Sequence, residues 1–393
     1  MKKIVLAGAC RTAIGKFGGA LSNVPVGDLG AVVVKEAIKR SGIKPEDIDE
    51  VMLGCVLQAA EGQNVSRQAA IRAGLPVEVP ALTINNVCGS SLKAVNMAAG
   101  LIQSDQGDVF VVGGMETMSA AAYAMPKARF GYRMGNGALV DTMVNDALWD
   151  VFNDYHMGIT AENICEQWKL TREELDTFAA SSQNKAEQAQ KEGKFKDEIV
   201  PVPIKIKREQ VLFAEDEGIR PGVTAKSIST LRPAFKKDGI VTAANSSTIN
   251  DGAAAIVVMS EEKAKELGVT PMAEWVTGAS AGVPPEIMGI GPVASSKKAL
   301  AQAGLTIADM DLIEANEAFA AQAVAVGKDL GIKNEQLNVN GGAISLGHPV
   351  GASGCRILVT LLYEMQRRKS AYGLATLCVG GGMGVTAIVK HRE

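Results

Sequence analysis

Four residues offer groups that could exchange protons or form covalent bonds: Cys88, Asn316, His348 and Cys378. Cys88 opens "CGSSLKAV", after which Leu92, Val95, Ala99 and Ile102 recur at helical spacing. A thiol at a helix N-terminus meets unpaired N–H groups and the positive end of the helix dipole, which favour thiolate over thiol. Nucleophile and buried packing residue both stand open on that feature alone. His348 lies in "SLGHPVGASG", a loop entering a helix that contains Ile357, Leu358, Leu361, Leu362 and Met365. Loop histidines are often surface residues, but one of only three in the chain, set among small residues, is a general-base candidate. Cys378 ends the strand "LATLCV" before "GGGMG", whose glycines let backbone N–H groups approach a ligand. A core cysteine is the alternative there. Asn316, in "IEANEAFAAQ", is either a helix cap or an amide dipole aimed at a reacting oxygen or water. Two thiols, an imidazole and an amide suit acyl transfer through a thioester, and suit neither metal hydrolysis nor hydride transfer.

The elements that must position these groups alternate in type. "KIVLAGA", "EVMLGCVL", "PALTIN" and "DVFVVGGM" read as strands, with helices over Asp28 to Arg40, Val65 to Ala73 and Leu92 to Gln103 between them. The C-terminal part repeats the theme with strands "AAAIVVMS", "MAEWVTGASAG" and "MDLIEA". Helices are expected over 261–267, 295–303, 317–330 and about 351–368, and a closing strand pair "LATLCVGGG" and "GVTAIVK". This is an α/β pattern, and alternation predicts a largely parallel sheet with helices on both faces. One echo suggests duplication: "CGSSLKAV" leads through a helix to "VFVVGGM", as "GASGCRIL" leads to "TLCVGGGM". Between the halves, Ser119 to Asn250 is rich in charge, Pro and Gly, and reads as a partly irregular insertion covering the active face.

The bulk numbers exclude several classes. A chain of 393 residues, 47% apolar and 21% charged, can bury a sizeable core. Net charge of −3 argues against a nucleic-acid partner bound through a basic surface. No run suits a bilayer helix, so no membrane partner is expected and a cytoplasmic location is. The six cysteines form no CxxC pair and the histidines lack metal-ligand spacing, so no metal is expected.

With these motifs in place the chain resembles the thiolase family, in its short-chain biosynthetic type. The likeness runs through "RTAIGKFGG", "GQNVSRQAA", "NNVCGSSLKAV", "GGMETMS", "YHMGITAEN", "LRPAF", "NDGAAA", "NEAFAAQ", "GGAISLGHPVGASGCR" and "CVGGGMG". It implies duplicated βαβαβαββ halves forming a layered α-β-α-β-α core with an inserted loop domain. The halves would span 1–118 (completed by about 250–270) and 271–393, with the insertion at 119–249. It implies reversible condensation of two acetyl-CoA into acetoacetyl-CoA plus CoA, in a homotetramer, with no cofactor beyond these thioesters. Cys88 would carry the acetyl group, His348 would take its proton, and Asn316 with His348 would position a water. Cys378 would remove the α-proton of the second acetyl-CoA, and the N–H groups of Cys88 and Gly380 would hold an oxyanion. His156, Met157, Arg220, Ser227 and Ser247 would meet CoA, and Met288, Ala318 and Phe319 would border its pantetheine. A degradative relative of broader chain length has the same catalytic set. The family's usual "CGSGLKAV" and "TAGNAS" differ here at Ser91, Ala244 and Ser246, and its "DEHPR" is replaced by "EDEGIRPG". Ser91 is expected to shift helix packing beside the nucleophile.

Overall fold

The computed structural model describes residues 2–392. The first half comprises β1 (Ile4–Thr12), α1 (Val26–Ser41), β2 (Glu50–Gly54), α2 (Val65–Ala73), β3 (Ala81–Ile84), α3 (Ser90–Gln103) and β4 (Val109–Thr117). The insertion follows, carrying α4 (Met157–Trp168) and α5 (Arg172–Lys191). Then come β5 (Asn250–Ser260), β6 (Ala273–Gly282), α6 (Gly291–Ala303), β7 (Leu312–Ala315), α7 (Ala320–Leu330), α8 (Ser353–Arg368), β8 (Tyr372–Val379) and β9 (Met383–His391).

Strand order is β1-β5-β4-β2-β3 in one half and β6-β9-β8-β7 in the other. The pairing sense matches position by position: antiparallel, antiparallel, then parallel, with an isolated parallel bridge from Ile313 to Leu337 standing where β3 stands in the first half. The halves meet where Ile4–Leu6 of β1 pairs antiparallel with Ala273–Trp275 of β6. This is the duplication that the echo pointed to.

The expectation of a largely parallel sheet fails for a physical reason. β8 and β9 are joined by only Gly380–Gly382, too short for a crossover, so they form a hairpin. Gly381 and Gly382 take φ of 86° and 88°, left-handed values that a side chain resists. Their equivalents β4 and β5 keep the same antiparallel pairing even though the whole insertion separates them.

The period of two along each strand builds the layers. Val5 and Ala7 of β1 face a core shared with α1 and α2, whereas Ile4 and Leu6 face a second core with α3 and α8. That second core also holds Ala375, Leu377 and Val379 of β8, so α3 and α8 lie sandwiched between the two halves. On the far side α6 packs Ala299 and Leu300 against Ile313, Leu374 and Ile388. Five layers result: helices, strands, helices, strands, helices.

The insertion is more ordered than its composition suggested. α5 runs for 20 residues behind a capping box in which Thr171 and Glu174 each satisfy the other's backbone N–H. α4 packs Met157, Ala161 and Ile164 against Met288, Ala318 and Phe319 of the second half. Among the described residues no helix is long and apolar enough to cross a membrane.

Candidate active site

Cys88 lies in the turn that starts α3. Val87 before it has φ of 45°, a costly conformation for a β-branched residue, and Ser90 braces the turn by accepting from Asn86 N–H (2.8 Å) and donating to Val87 O (2.6 Å). The sulfur meets its own backbone N–H and that of Gly380. The residue keeps some exposure, yet protein closes around the sulfur, and burial pushes the thiol up to about 11 despite those two donors. The expected thiolate is therefore overturned. Desolvation outweighs the helix terminus, and Cys88 needs a base to take its proton.

His348 is that candidate base. It is 7% exposed, and Asn250 Oδ1 accepts its backbone N–H at 2.9 Å. Ser353 Oγ lies 2.5 Å from its Nδ1, and the Asn316 amide nitrogen lies 3.4 Å from Nε2. Burial, with the nearby Arg356 charge adding to it, drives His348 down to about 3. The neutral ring is the form that accepts a proton, and a lowered pKa extends that form toward acid. Single-turnover acylation by a thioester is thus expected to stay flat from about pH 8 to about pH 5. Loss of half the rate near 6.5, the ordinary histidine value, would contradict this.

Cys378 is fully buried on the β8 face opposite Leu377 and Val379, packed with Met157, Met288 and Ala318. Burial pushes its thiol upward and the neighbouring Cys88 sulfur pushes it further. Asn316 is 1% exposed and stands behind His348 rather than on the open wall. Its backbone N–H bonds Thr376 O (3.0 Å), and its carbonyl accepts from the Gln322 side chain (2.6 Å).

Cys88, His348 and Gly380 share one cavity of about 460 Å3 with His156, Met157, Ser247, Met288, Ala318 and Phe319. Its wall is mostly apolar. His156 Nδ1 accepts the Gly158 N–H at 3.0 Å and so caps α4, while its ring stacks on Phe235 at 4.8 Å. Ser247 N–H bonds Ala318 O at 3.0 Å, lacing the insertion to the second half across the cavity. Arg220 and Ser227 do not line it. Both are exposed, and each is engaged locally: Arg220 N–H with Gln183 Oε1 (2.8 Å), and Ser227 in a capping box with Thr224.

Sequence reasoning missed several contributors. Phe235 sits within "LRPAF" and stacks on one wall, which an aromatic flanked by Pro in an otherwise charged segment could have signalled. Ser246, already marked in the sequence as a departure from the family's usual motif, reaches the cavity, although its hydroxyl is spent on Thr242 O (2.7 Å). Glu116, the one charge in an apolar strand, is buried and accepts from Val56, Leu57 and Gly351 N–H at 3.1, 3.0 and 2.8 Å. It ties the strand ends of the first half to the loop that carries His348.

Ser91 explains its own departure. Its Oγ accepts the Cys355 N–H at 2.9 Å, a first-turn donor of α8 that has no intrahelical partner. The hydroxyl therefore joins the helix after Cys88 to the helix after His348. Ser91→Ala leaves that buried N–H unpaired and should cost about 1–3 kcal/mol in urea unfolding. An unchanged midpoint would mean the bond contributes nothing.

The family models for the thiolase N-terminal domain and thiolase C-terminal domain match residues 4–262 and 269–391. The chain belongs to the thiolase family. Among thiolase relatives, the acetyl-CoA acetyltransferase of Cupriavidus necator is 58% identical over 393 residues, covering all of both chains. That of Syntrophomonas wolfei is 59% identical, covering 99% of each. Among solved thiolase folds, the Bacillus anthracis acetyl-CoA acetyltransferase superposes with a TM-score of 0.98 at 45% identity, covering 100% of this chain and 99% of that one. Human mitochondrial 3-ketoacyl-CoA thiolase gives 0.96 at 39%, with the same coverage.

Proposed function

We propose that this thiolase is an acetyl-CoA C-acetyltransferase that condenses two acetyl-CoA into acetoacetyl-CoA and CoA, reversibly, by a ping-pong route through acetyl-Cys88. The observation that carries the reading is one apolar cavity that gathers the Cys88 thiol, the buried His348 imidazole and Gly380, with a second thiol against it. Cys88 gives its proton to His348 and attacks the thioester carbon. The carbon–sulfur bond to CoA breaks, and the CoA thiolate leaves with the proton that His348 returns. The Cys88 and Gly380 N–H groups suit the oxyanion of that step. In the second half-reaction Cys378 passes its own proton to neutral His348 and, as thiolate, takes the α-proton of the second acetyl-CoA. The resulting carbanion attacks the acetyl carbonyl, and His348 returns its proton to the released Cys88, so that both thiols and the imidazole end as they began. A thiol whose burial makes it a stronger base is matched to so weak a carbon acid.

His156, Met157, Ser247, Met288, Ala318 and Phe319 are read as the walls for pantetheine, with Arg220 and Ser227 left to the exposed end of CoA. We further read the enzyme as a cytoplasmic homotetramer that uses no cofactor beyond its CoA thioesters. Incubation with acetyl-CoA and intact-mass measurement tests the assignment: one acetyl group per chain is expected, and its absence would sink the reading. Acyl-length profiling separates it from a broad-chain thiolase, with rates expected to fall beyond four carbons because Met288, Phe235 and Phe319 crowd the wall.

A further inference from the structure

The polar contacts behind the cavity run in one direction. Arg356, 1% exposed in the first turn of α8, carries a guanidinium that can only donate. Its Nη2 lies 3.3 Å from Asn316 Oδ1, which orients the amide so that its N–H groups face the His348 ring, 3.4 Å from Nε2 and 3.5 Å from Nδ1. At the other side of the ring, Ser353 Oγ stands 2.5 Å from Nδ1 and 2.9 Å from Pro349 O, a carbonyl that can only accept.

One arrangement of hydrogens satisfies every member. Arg356 donates to Asn316 Oδ1, and the Asn316 N–H groups face the ring about equally far from its two nitrogens. His348 Nδ1–H then donates to Ser353 Oγ, and the Ser353 hydroxyl donates to Pro349 O. The opposite tautomer would need the Ser353 hydroxyl to donate to Nδ1 and so turn away from Pro349, leaving the Ser353 and Pro349 oxygens facing each other with no hydrogen between them. We infer that Ser353 is a positioning residue that holds His348 as the Nδ1–H tautomer, leaving Nε2 as the lone pair that takes the Cys88 proton. Salt bridging does not account for the placement of Arg356. Its nearest carboxylate, Glu314, lies 3.9 Å from Nη1, and among the described residues Nε and Nη1 have no hydrogen-bond partner. A buried cation with so few partners is costly, and the orientation it imposes on Asn316 is what its position achieves.

This inference rests on reading His348 as the proton acceptor, but its test does not. With histidine labelled in the ring nitrogens, the protein gives three imidazole signatures, and the one missing from His348→Asn is His348. At neutral pH the wild type should show a protonated Nδ1 and a bare Nε2. Ser353→Ala should mix the tautomers and slow acetylation of Cys88 by about tenfold or more while leaving the KM for acetyl-CoA unchanged. Ser353→Thr, which keeps the hydroxyl, should restore both. A protonated Nε2 in the wild type, or Ser353→Ala with tautomer and rate unaltered, overturns the inference. A bare Nε2 in a protein that forms no acetyl-enzyme would leave the tautomer standing and sink the proposed reaction instead.

Discussion

Cys88→Ala should form no acetyl-enzyme, and its condensation rate should fall by about 10^4-fold or more, since the sulfur proposed to carry the acetyl group is gone. Cys88 occupies a turn braced by Ser90 rather than a deep core position, so losing the sulfur should change stability by at most about 1 kcal/mol. Intact-mass analysis after incubation with acetyl-CoA, beside a thermal melt of the same sample, measures both. An acetyl adduct persisting on a folded variant would remove Cys88 from the nucleophile's role.

Cys378→Ser should split the two half-reactions. Acetylation of Cys88 asks nothing of Cys378, so the adduct should still appear at near-wild-type rate. Condensation should drop by about 10^2–10^4-fold, because a serine hydroxyl is a far weaker proton carrier near neutrality. Rapid-quench measurement of CoA release, followed by acetoacetyl-CoA formation in the same reaction, separates the steps. Equal losses in both would mean that the substitution disturbs the shared cavity, and that the thiols do not divide the labour as proposed. Nearly unchanged condensation would assign the second base to another group.

What could be read from the chain depended on whether the deciding interaction was local. α2 is foretold residue for residue because Asn64 caps its start and Gly74 ends it with φ of 93°. Strand pairing sense is not local. β5 sits antiparallel between β1 and β4, and nothing within "AAAIVVMS" records which neighbours it will find. α5 escaped for a different reason. Its buried face is built from Ala179, Ala186 and Ala189 among many polar residues, too faint a stripe to outweigh the charge around it, although the Thr171–Glu174 box was there to be seen. The site divides the same way. The motifs marked Cys88, His348 and Cys378, but their protonation is set by how much protein closes over them. Arg356 gives no local sign that it orients Asn316, which lies 40 residues away in the chain.

The place of β5 in the sheet bears on how the chain can be made. β1 and β4 flank it, β4 ends at Thr117, and β5 begins at Asn250. During synthesis the first half therefore waits with a gap at its centre, its strand edges unpaired, until the entire insertion has left the ribosome. Such long-range closure is slow, and open edges invite wrong partners. A truncated chain ending before β5 should aggregate rather than fold, and co-translational chaperone capture should be heaviest between the emergence of β4 and of β5.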